Sequence, residues 1–384
     1  MESTTVKMEG SPVQLSPWWR TATILVMATG LTVLIWIAAR SYRDAPPIPA
    51  RVVTTAEKTL FTRDDIVAGQ QVFLKYGLME NGTIWGHGAY LGPDFSAAYL
   101  HELSTETGEA IARASFNRSL DGLTAAARDA VTAETGRWLK KNRYDSRTEI
   151  LAFTPPEADS YRKQIAVWTD YFSKPAGNGG LPAKYITNPD ELRQLTSFFA
   201  WTAWASVANR PGKPYSYTNN FPYDPVSGNT PTSDAFFWSA LSLITLLAGT
   251  AAVLFAFGKF DFLGWQRKEG EHIHPLMLPG ETTASQRATL KYFVVVALLF
   301  LAQVLVGGAT VHYRVDPASF YGIDISEIFP SHILRTWHLQ LAIFWIATAY
   351  VGGGLLLAPS LGGKDARWQV LGVNILSSGC SPLP

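Results

Sequence analysis

Four apolar runs dominate the hydropathy pattern of the 384-residue chain, and none contains a charged side chain. A helix needs about 20 apolar residues to cross a hydrocarbon layer about 30 Å thick. The pattern therefore predicts four transmembrane helices, at residues 21–39, 236–258, 292–311 and 333–358. The fourth begins a few residues before its apolar run, which spans residues 339–358.

The first run has an alternative interpretation as a cleaved signal peptide. Its length exceeds the usual apolar region of about 7–15 residues, and Ile37-Ala38-Ala39 is a poor cleavage site. We therefore predict a membrane anchor.

The distribution of basic residues predicts the orientation. Five Lys and Arg residues lie in the segment 259–291, and Lys364 and Arg367 follow the fourth run, whereas only Arg314 and Arg335 lie between the third and fourth runs. The positive-inside rule places the first two segments in the cytoplasm. Residues 1–20 are then cytoplasmic and residues 40–235 extracytoplasmic, which describes a multi-pass membrane protein.

The long segment 40–235 has the pattern of a mainly helical domain. Helix-start signals recur along it, and a stretch rich in Pro, Gly, Tyr and Asn at residues 209–233 predicts an irregular connector to the second transmembrane helix. The predicted helices open at Thr62, near Ser96, at Leu123, at Pro155 and after Asn188.

Composition excludes several classes of protein. The formal net charge is +1, so no basic surface for nucleic acid is expected. A single cysteine, Cys380, allows no disulfide framework, and the absence of C-x-x-C-H excludes covalent haem c. Neither a phosphate-binding loop nor a nucleophile elbow is present.

Among the histidines, His338 has the clearest candidate role in chemistry. It lies at the mouth of the fourth helix, where an ionisable residue is costly and usually functional. A neutral imidazole facing a helix bundle is a suitable axial ligand for haem iron, and Arg335, one turn earlier, could meet a haem propionate. The alternative is an interfacial histidine hydrogen-bonded to a neighbouring loop.

Two motifs resemble known sequences. Residues 335–347 read Arg-x-x-His-Leu-Gln-Leu-Ala-Ile-Phe-Trp-Ile-Ala, which is similar to the haem-ligand helix of nitric oxide reductases in the haem–copper oxidase superfamily. Residues 85–101, from Trp85-Gly86-His87-Gly88 to Leu100-His101, resemble the cytochrome-c-like domain fused to the quinol-dependent members. With the helix pattern, the resemblance extends to about Ile375.

The resemblance implies a fold and an activity. It implies an all-α membrane protein with four transmembrane helices and a mainly helical, cytochrome-c-like extracytoplasmic domain without haem c. His338 would ligate a low-spin haem b that takes electrons from a membrane quinol, and the reaction would reduce nitric oxide to N2O in denitrification. Because no haem c can attach, electrons would pass directly from the quinol.

Two further sites follow with less support from the residues. The resemblance implies that the Gly88 carbonyl and the Tyr90 hydroxyl contribute to a calcium site, although a tight turn with a packed tyrosine also explains them. A histidine and a carboxylate can take protons from a quinol, and an aromatic ring can stack on it. His332, Glu327 and Trp337 are therefore quinol-site candidates, with a solvated loop as the alternative.

The catalytic centre of the family is not encoded in these residues. That centre holds a second haem b and a non-haem iron bound by histidines from later helices, including a His-His pair, and this chain has no histidine after His338. A fifth apolar helix is expected near Val370, but the sequence becomes polar after Leu376. We interpret residues 236–384 as the start of the membrane domain in a truncated or frameshifted copy.

Two other classes remain open at the sequence level. One is a non-catalytic membrane receptor whose extracytoplasmic domain binds a ligand or partner. The other is a transporter fragment, although the four runs show no paired halves of the kind that transporters have.

Overall fold

The computed structural model describes residues 18–174, 177–260, 282–316, 322–323, 326–362 and 365–379. Two compact units make up the chain, Met1–Pro47 and Ile48–Pro384. Within the described residues of the first unit lies the helix α1 (Trp18–Arg43), with Arg40 and Arg43 in its last turn. Its apolar side chains are exposed on every face, as in a helix that spans a membrane.

A globular domain opens the second unit and spans residues 48–232. Its five α-helices confirm the helix starts expected from sequence. They are α2 (Arg63–Lys75), α3 (Phe95–Phe116), α4 (Ala125–Lys140), α5 (Pro155–Ser173) and α6 (Pro189–Val207). Two single 3₁₀ turns, Leu78–Glu80 and Leu120–Gly122, follow α2 and α3.

Local capping explains where these helices begin. The Thr62 hydroxyl accepts from the Asp65 backbone N–H, and the Asp65 carboxylate accepts from the Thr62 backbone N–H, which forms a capping box. Thr154 and Glu157 form the same box ahead of α5. The Asn188 side chain caps α6, whose first residue is a proline.

Short strands complete the domain, and the sequence did not predict them. β1 (Arg51–Thr54), β2 (Thr59–Thr62), β5 (Tyr144–Asp145) and β6 (Ile150–Phe153) form one sheet in the order β2-β1-β6-β5. The pair β1–β6 is parallel and joins distant parts of the chain. β3 (Thr83–Ile84) and β4 (His87–Gly88) form a separate hairpin.

Aromatic side chains fill the centre of the domain. Phe95 of α3 and Phe199 of α6 stack with their centroids 4.8 Å apart and their planes at 6°. Trp168 of α5 meets Phe199 edge-on at 5.0 Å, and Phe73 of α2 packs against the same ring. Four helices therefore converge on one closed aromatic core, because each contributes a large ring to it.

The remaining helices of the second unit are long and apolar. They are α7 (Ser233–Phe260), α8 (Ala284–Val315), α9 (Ser331–Gly362) and the shorter α10 (Gln369–Gly379). With α1, helices α7, α8 and α9 are long and apolar enough to cross a membrane, which agrees with the four predicted spans. α8 begins eight residues before its predicted start, since Thr283 and Gln286 form a capping box there.

α8 packs along α9, and α10 packs on α8. A Cβ atom on Gly352 of α9 would lie 3.0 Å from the Tyr292 Cβ of α8, so the missing side chain permits close approach. The Tyr292 hydroxyl donates to the Val373 carbonyl of α10 at 2.8 Å. The helix expected near Val370 thus begins at Gln369, while residues 380–384 lie outside the described residues.

Candidate functional site

His338 points from α9 into the contact with α8. Its Nδ1 lies 3.0 Å from the backbone carbonyl oxygen of Gln303. A Cβ on Gly307, one turn further along α8, would lie 2.7 Å from His338 Cε1. Only a glycine leaves room for the ring at this position. This explains Gly307, the first glycine of the Gly307-Gly308 pair in the apolar run.

The contact with Gln303 determines the tautomer of His338. A carbonyl oxygen can only accept, so Nδ1 carries the proton and donates it. The lone pair then lies on Nε2, which makes no hydrogen bond with the residues that the structure describes. An imidazole held through Nδ1–H on a backbone carbonyl is the usual arrangement of a metal-ligating histidine.

Gln303 is a member of the site that the sequence did not reveal. Its side-chain Oε1 accepts from the indole Nε1 of Trp345 at 2.6 Å, while its carbonyl holds His338. One residue of α8 therefore fixes two residues that lie two turns apart on α9. The available signal was a single amide side chain within the otherwise apolar run 292–311.

Arg335 is held by the globular domain. Its Nη1 contacts the Glu80 carboxylate, which belongs to the 3₁₀ turn after α2. Both side chains are about a quarter exposed, at 26% and 29%. A guanidinium has five N–H donors, so this ion pair leaves others for a second anion. The sequence placed Arg335 on the His338 face but gave no sign of Glu80.

His332 belongs to a chain of hydrogen bonds with two tyrosines of the globular domain. Its Nε2 lies 3.0 Å from the Tyr185 hydroxyl, which donates to the Tyr76 carbonyl at 2.8 Å. Because the Tyr185 proton is used there, His332 Nε2 must be the donor of the pair. Its Nδ1 is buried and lacks a partner among the described residues. Burial raises the pKa of Tyr185 to about 12, so the phenol stays neutral.

Neither of the other two quinol-site candidates shares a hydrogen bond or a ring contact with His332 among the described residues. Glu327 is exposed and has no hydrogen bond or ion pair with any described residue. Trp337 is 43% exposed and meets Phe329 edge-on at 6.1 Å. Trp337 follows His332 by five positions, which puts the two on different faces of α9.

The segment around Gly88 is a tight turn beside the membrane-type helices. Gly88 has φ +139°, and a Cβ there would lie 2.3 Å from the Gly82 carbonyl oxygen. Tyr90 is 72% exposed, its hydroxyl lies 3.4 Å from the Gly86 carbonyl, and its own carbonyl accepts from Arg314 of α8. Within the described part of the chain, no three His, Cys, Asp or Glu side chains form a metal site. The turn alone accounts for the glycine, and calcium stays a prediction.

Gly180 of the globular domain contacts both helices. The Ser331 backbone N–H, in the first turn of α9, donates to the Gly180 carbonyl at 3.1 Å. A Cβ on Gly180 would lie 2.5 Å from a ring carbon of Tyr313 in α8. Together with Glu80–Arg335 and Tyr185–His332, this contact fixes the domain on the helix ends that carry the candidate site.

An imidazole with a free ring nitrogen at the mouth of an apolar helix is chemically suited to ligate a haem iron. Residues 49–223 match the family described as the cytochrome c-like domain of the nitric oxide reductase NorB. The globular domain is therefore similar to that domain, as the motif at residues 85–101 indicated. No curated protein matches the chain.

Proposed function

We propose that this chain forms the N-terminal part of a quinol-dependent nitric oxide reductase. Electrons would pass from a membrane quinol to a haem b held by His338. The observation that carries the proposal is the His338 imidazole, whose Nδ1 is fixed on Gln303 and whose Nε2 is available. It lies beside a domain that matches the nitric oxide reductase family.

The residues present fit a haem. His338 Nε2 would ligate the iron, and the spare donors of Arg335 would bind a propionate carboxylate. When bound, the haem supplies one-electron transfer. The protein orients the imidazole through Gln303 and leaves room for it at Gly307, which has no side chain. Glu80 holds Arg335 in place.

The globular domain supports a quinol as the electron donor. The sequence contains no C-x-x-C-H, so a thioether-linked haem c cannot form. The centre of the domain is closed by the stacked rings of Phe95 and Phe199, each fully buried. His332 is the residue best suited to the quinol, since its buried Nδ1 needs a hydrogen-bond donor such as a quinol hydroxyl.

Nitric oxide reduction would need metal ligands that these residues do not supply, since no histidine follows His338. Two NO molecules, two electrons and two protons give N2O and water, which the family carries out at a second haem b facing a non-haem iron. Their ligands would come from segments beyond these residues.

The proposal also includes the inner-membrane orientation with residues 40–235 outside, and calcium binding by Gly88 and Tyr90. Nothing in the described structure favours a receptor instead.

The test is haem binding by the full chain, expressed in membranes with haem supplied and purified in detergent. A reduced-minus-oxidised spectrum should show b-type haem bands, and His338→Ala should remove them. His101→Ala is the matched control, because His101 lies on the globular domain, where its half-exposed side chain pairs with Asp224. Absence of haem from the parent chain, or its retention in His338→Ala, would overturn the proposal.

A further inference from the structure

A cavity lies in the globular domain, between the C-terminal half of α4 and the connector after α6. Its volume is about 650 Å³, within the usual range of small-ligand sites of about 300–1,000 Å³. Gly136 of α4 forms one wall, where a Cβ would lie 3.0 Å from the Ser227 carbonyl oxygen. Helix α4 and the connector are thus in direct contact, and the cavity lies between two elements that pack against each other.

Lys140 is a residue of the cavity lining, and its ammonium group has no carboxylate partner among the described residues. Its Nζ donates to the side-chain oxygens of Asn229 at 3.2 Å and Asn220 at 3.4 Å, and it forms no ion pair with any described residue. An ammonium has three N–H donors, so one is unused. Burial lowers the pKa of Lys140, because the ammonium group is partly removed from water.

The surroundings of Lys140 are positive. Lys141 lines the cavity, is exposed and has no ion pair within the described structure. Arg137 lines it as well, although its guanidinium is partly neutralised by Glu134. Asp129 is the single carboxylate of the lining. Three cations against one anion favour a negatively charged ligand.

Whereas Lys140 needs an acceptor from the ligand, Asn209 needs a hydrogen-bond donor. Its side-chain Oδ1 belongs to a residue of the cavity lining, is buried and has no partner in the described structure. A buried amide oxygen needs a hydrogen-bond donor. The ligand should therefore present an anionic oxygen to Lys140 and an O–H group to Asn209.

We propose that this cavity binds a phosphate group accompanied by a hydroxyl donor. Hydrogen phosphate meets both requirements within one ion. The headgroup of phosphatidylglycerol meets them with its phosphodiester and its glycerol hydroxyls. The site is independent of the proposed haem, because it uses none of the residues on α8 or α9.

Isothermal titration of the full chain in zwitterionic detergent, with inorganic phosphate at constant ionic strength and pH 7, tests the site. Saturable binding is expected, weakened at least tenfold in Lys140→Met and severalfold in Lys141→Met. Lys58→Met should leave it unchanged, because this exposed lysine of the same domain has no side-chain partner in the described structure. If Lys140→Met does not fold, the phosphate affinities of Lys141→Met and Lys58→Met are compared instead, and only Lys141→Met should be weakened.

Sulfate tests the hydroxyl requirement, since it carries no proton at this pH. Phosphate should bind more tightly than sulfate, and Asn209→Ala should abolish that preference. Equal binding of both ions, no saturable binding, or equal losses in Lys58→Met and Lys141→Met would overturn the proposal. In nanodiscs, weaker phosphate binding on addition of phosphatidylglycerol to phosphatidylcholine identifies the lipid headgroup as the ligand, and unchanged binding identifies the free ion.

Discussion

Two apolar helices of the same unit are covered in opposite ways. In α6, every residue from Leu195 to Val207 is buried, and the rings of neighbouring helices surround it. In α9, Ile343, Phe344 and Tyr350 are 65%, 56% and 80% exposed. Apolar content therefore does not decide which helix forms a protein core. α6 is buried by its own domain, whereas α9 leaves its surface for lipid or further protein segments.

The two helices also differ in how they hold their partners. α6 relies on large rings that pack together, so its stability comes from buried area. α9 contacts α8 through glycines and a few hydrogen bonds, such as His338–Gln303. We expect substitutions in α6 to change the folding of the domain, and substitutions in α9 to change local geometry.

The largest effect should come from the aromatic core. Phe199→Ala removes a fully buried ring and should destabilise the globular domain by about 3–5 kcal/mol. For a domain of this size, the melting temperature should fall by roughly 6–20 °C, measured by tryptophan fluorescence. Phe116→Ala, at a ring that is 43% exposed, should cost less than about 1 kcal/mol. Equal losses in the two variants would contradict a core centred on α6.

The helix contact at His338 offers a sharper comparison between adjacent glycines. In Gly307→Ala, the new Cβ would lie 2.7 Å from His338 Cε1, so the imidazole must shift away from Gln303. We expect a severalfold loss of haem from the full chain, measured by the pyridine haemochrome assay. Gly308→Ala adds a Cβ with nothing within 4 Å, so it should retain haem. Identical haem content in both variants would argue against this position of the ring.

The smallest effect concerns the hydrogen bonds that tie α2 to α6. Burial opposes ionisation of Asp65, but the Thr62 backbone N–H and Arg193 outweigh it and hold its pKa below the ordinary value. Asp65→Asn should cost about 1 kcal/mol at pH 7. A lowered carboxyl pKa stabilises the fold above the unfolded pKa, so this cost should shrink below about pH 4.

Thermal melting of the full chain at a series of pH values measures that cost. Asp64→Asn is the control, since Asp64 is exposed and stands next to Asp65 in the same helical turn. Its effect should be small at every pH. A pH-independent cost in Asp65→Asn would mean that the amide disturbs packing instead of removing a charge interaction.

Sequence patterns predicted the helices because their signals are local. Thr62, Pro155 and Asn188 each mark a helix start, and an unbroken apolar run marks each long helix. The strands escaped prediction because β1 and β6 are four residues long and pair across about a hundred residues of sequence. Pairing at that distance leaves no periodic trace in either segment.

The candidate site was predictable only in part, for the same reason. His338 and its place at a helix mouth follow from the sequence. Its partner Gln303 and the Glu80–Arg335 pair depend on contacts between separate elements. The expected grouping of His332 with Glu327 and Trp337 was based on closeness in sequence, but the structure pairs His332 with Tyr185.

The contact between Gly180 and Ser331 has a consequence for biosynthesis. The carbonyl of Gly180 accepts one of the backbone N–H groups that the first turn of α9 cannot satisfy internally. Ribosomes make residues 48–232 before α9, and N-terminal domains fold first during translation. We therefore expect the domain to fold before α9 is complete, and its Gly180 carbonyl then helps to set where that helix begins.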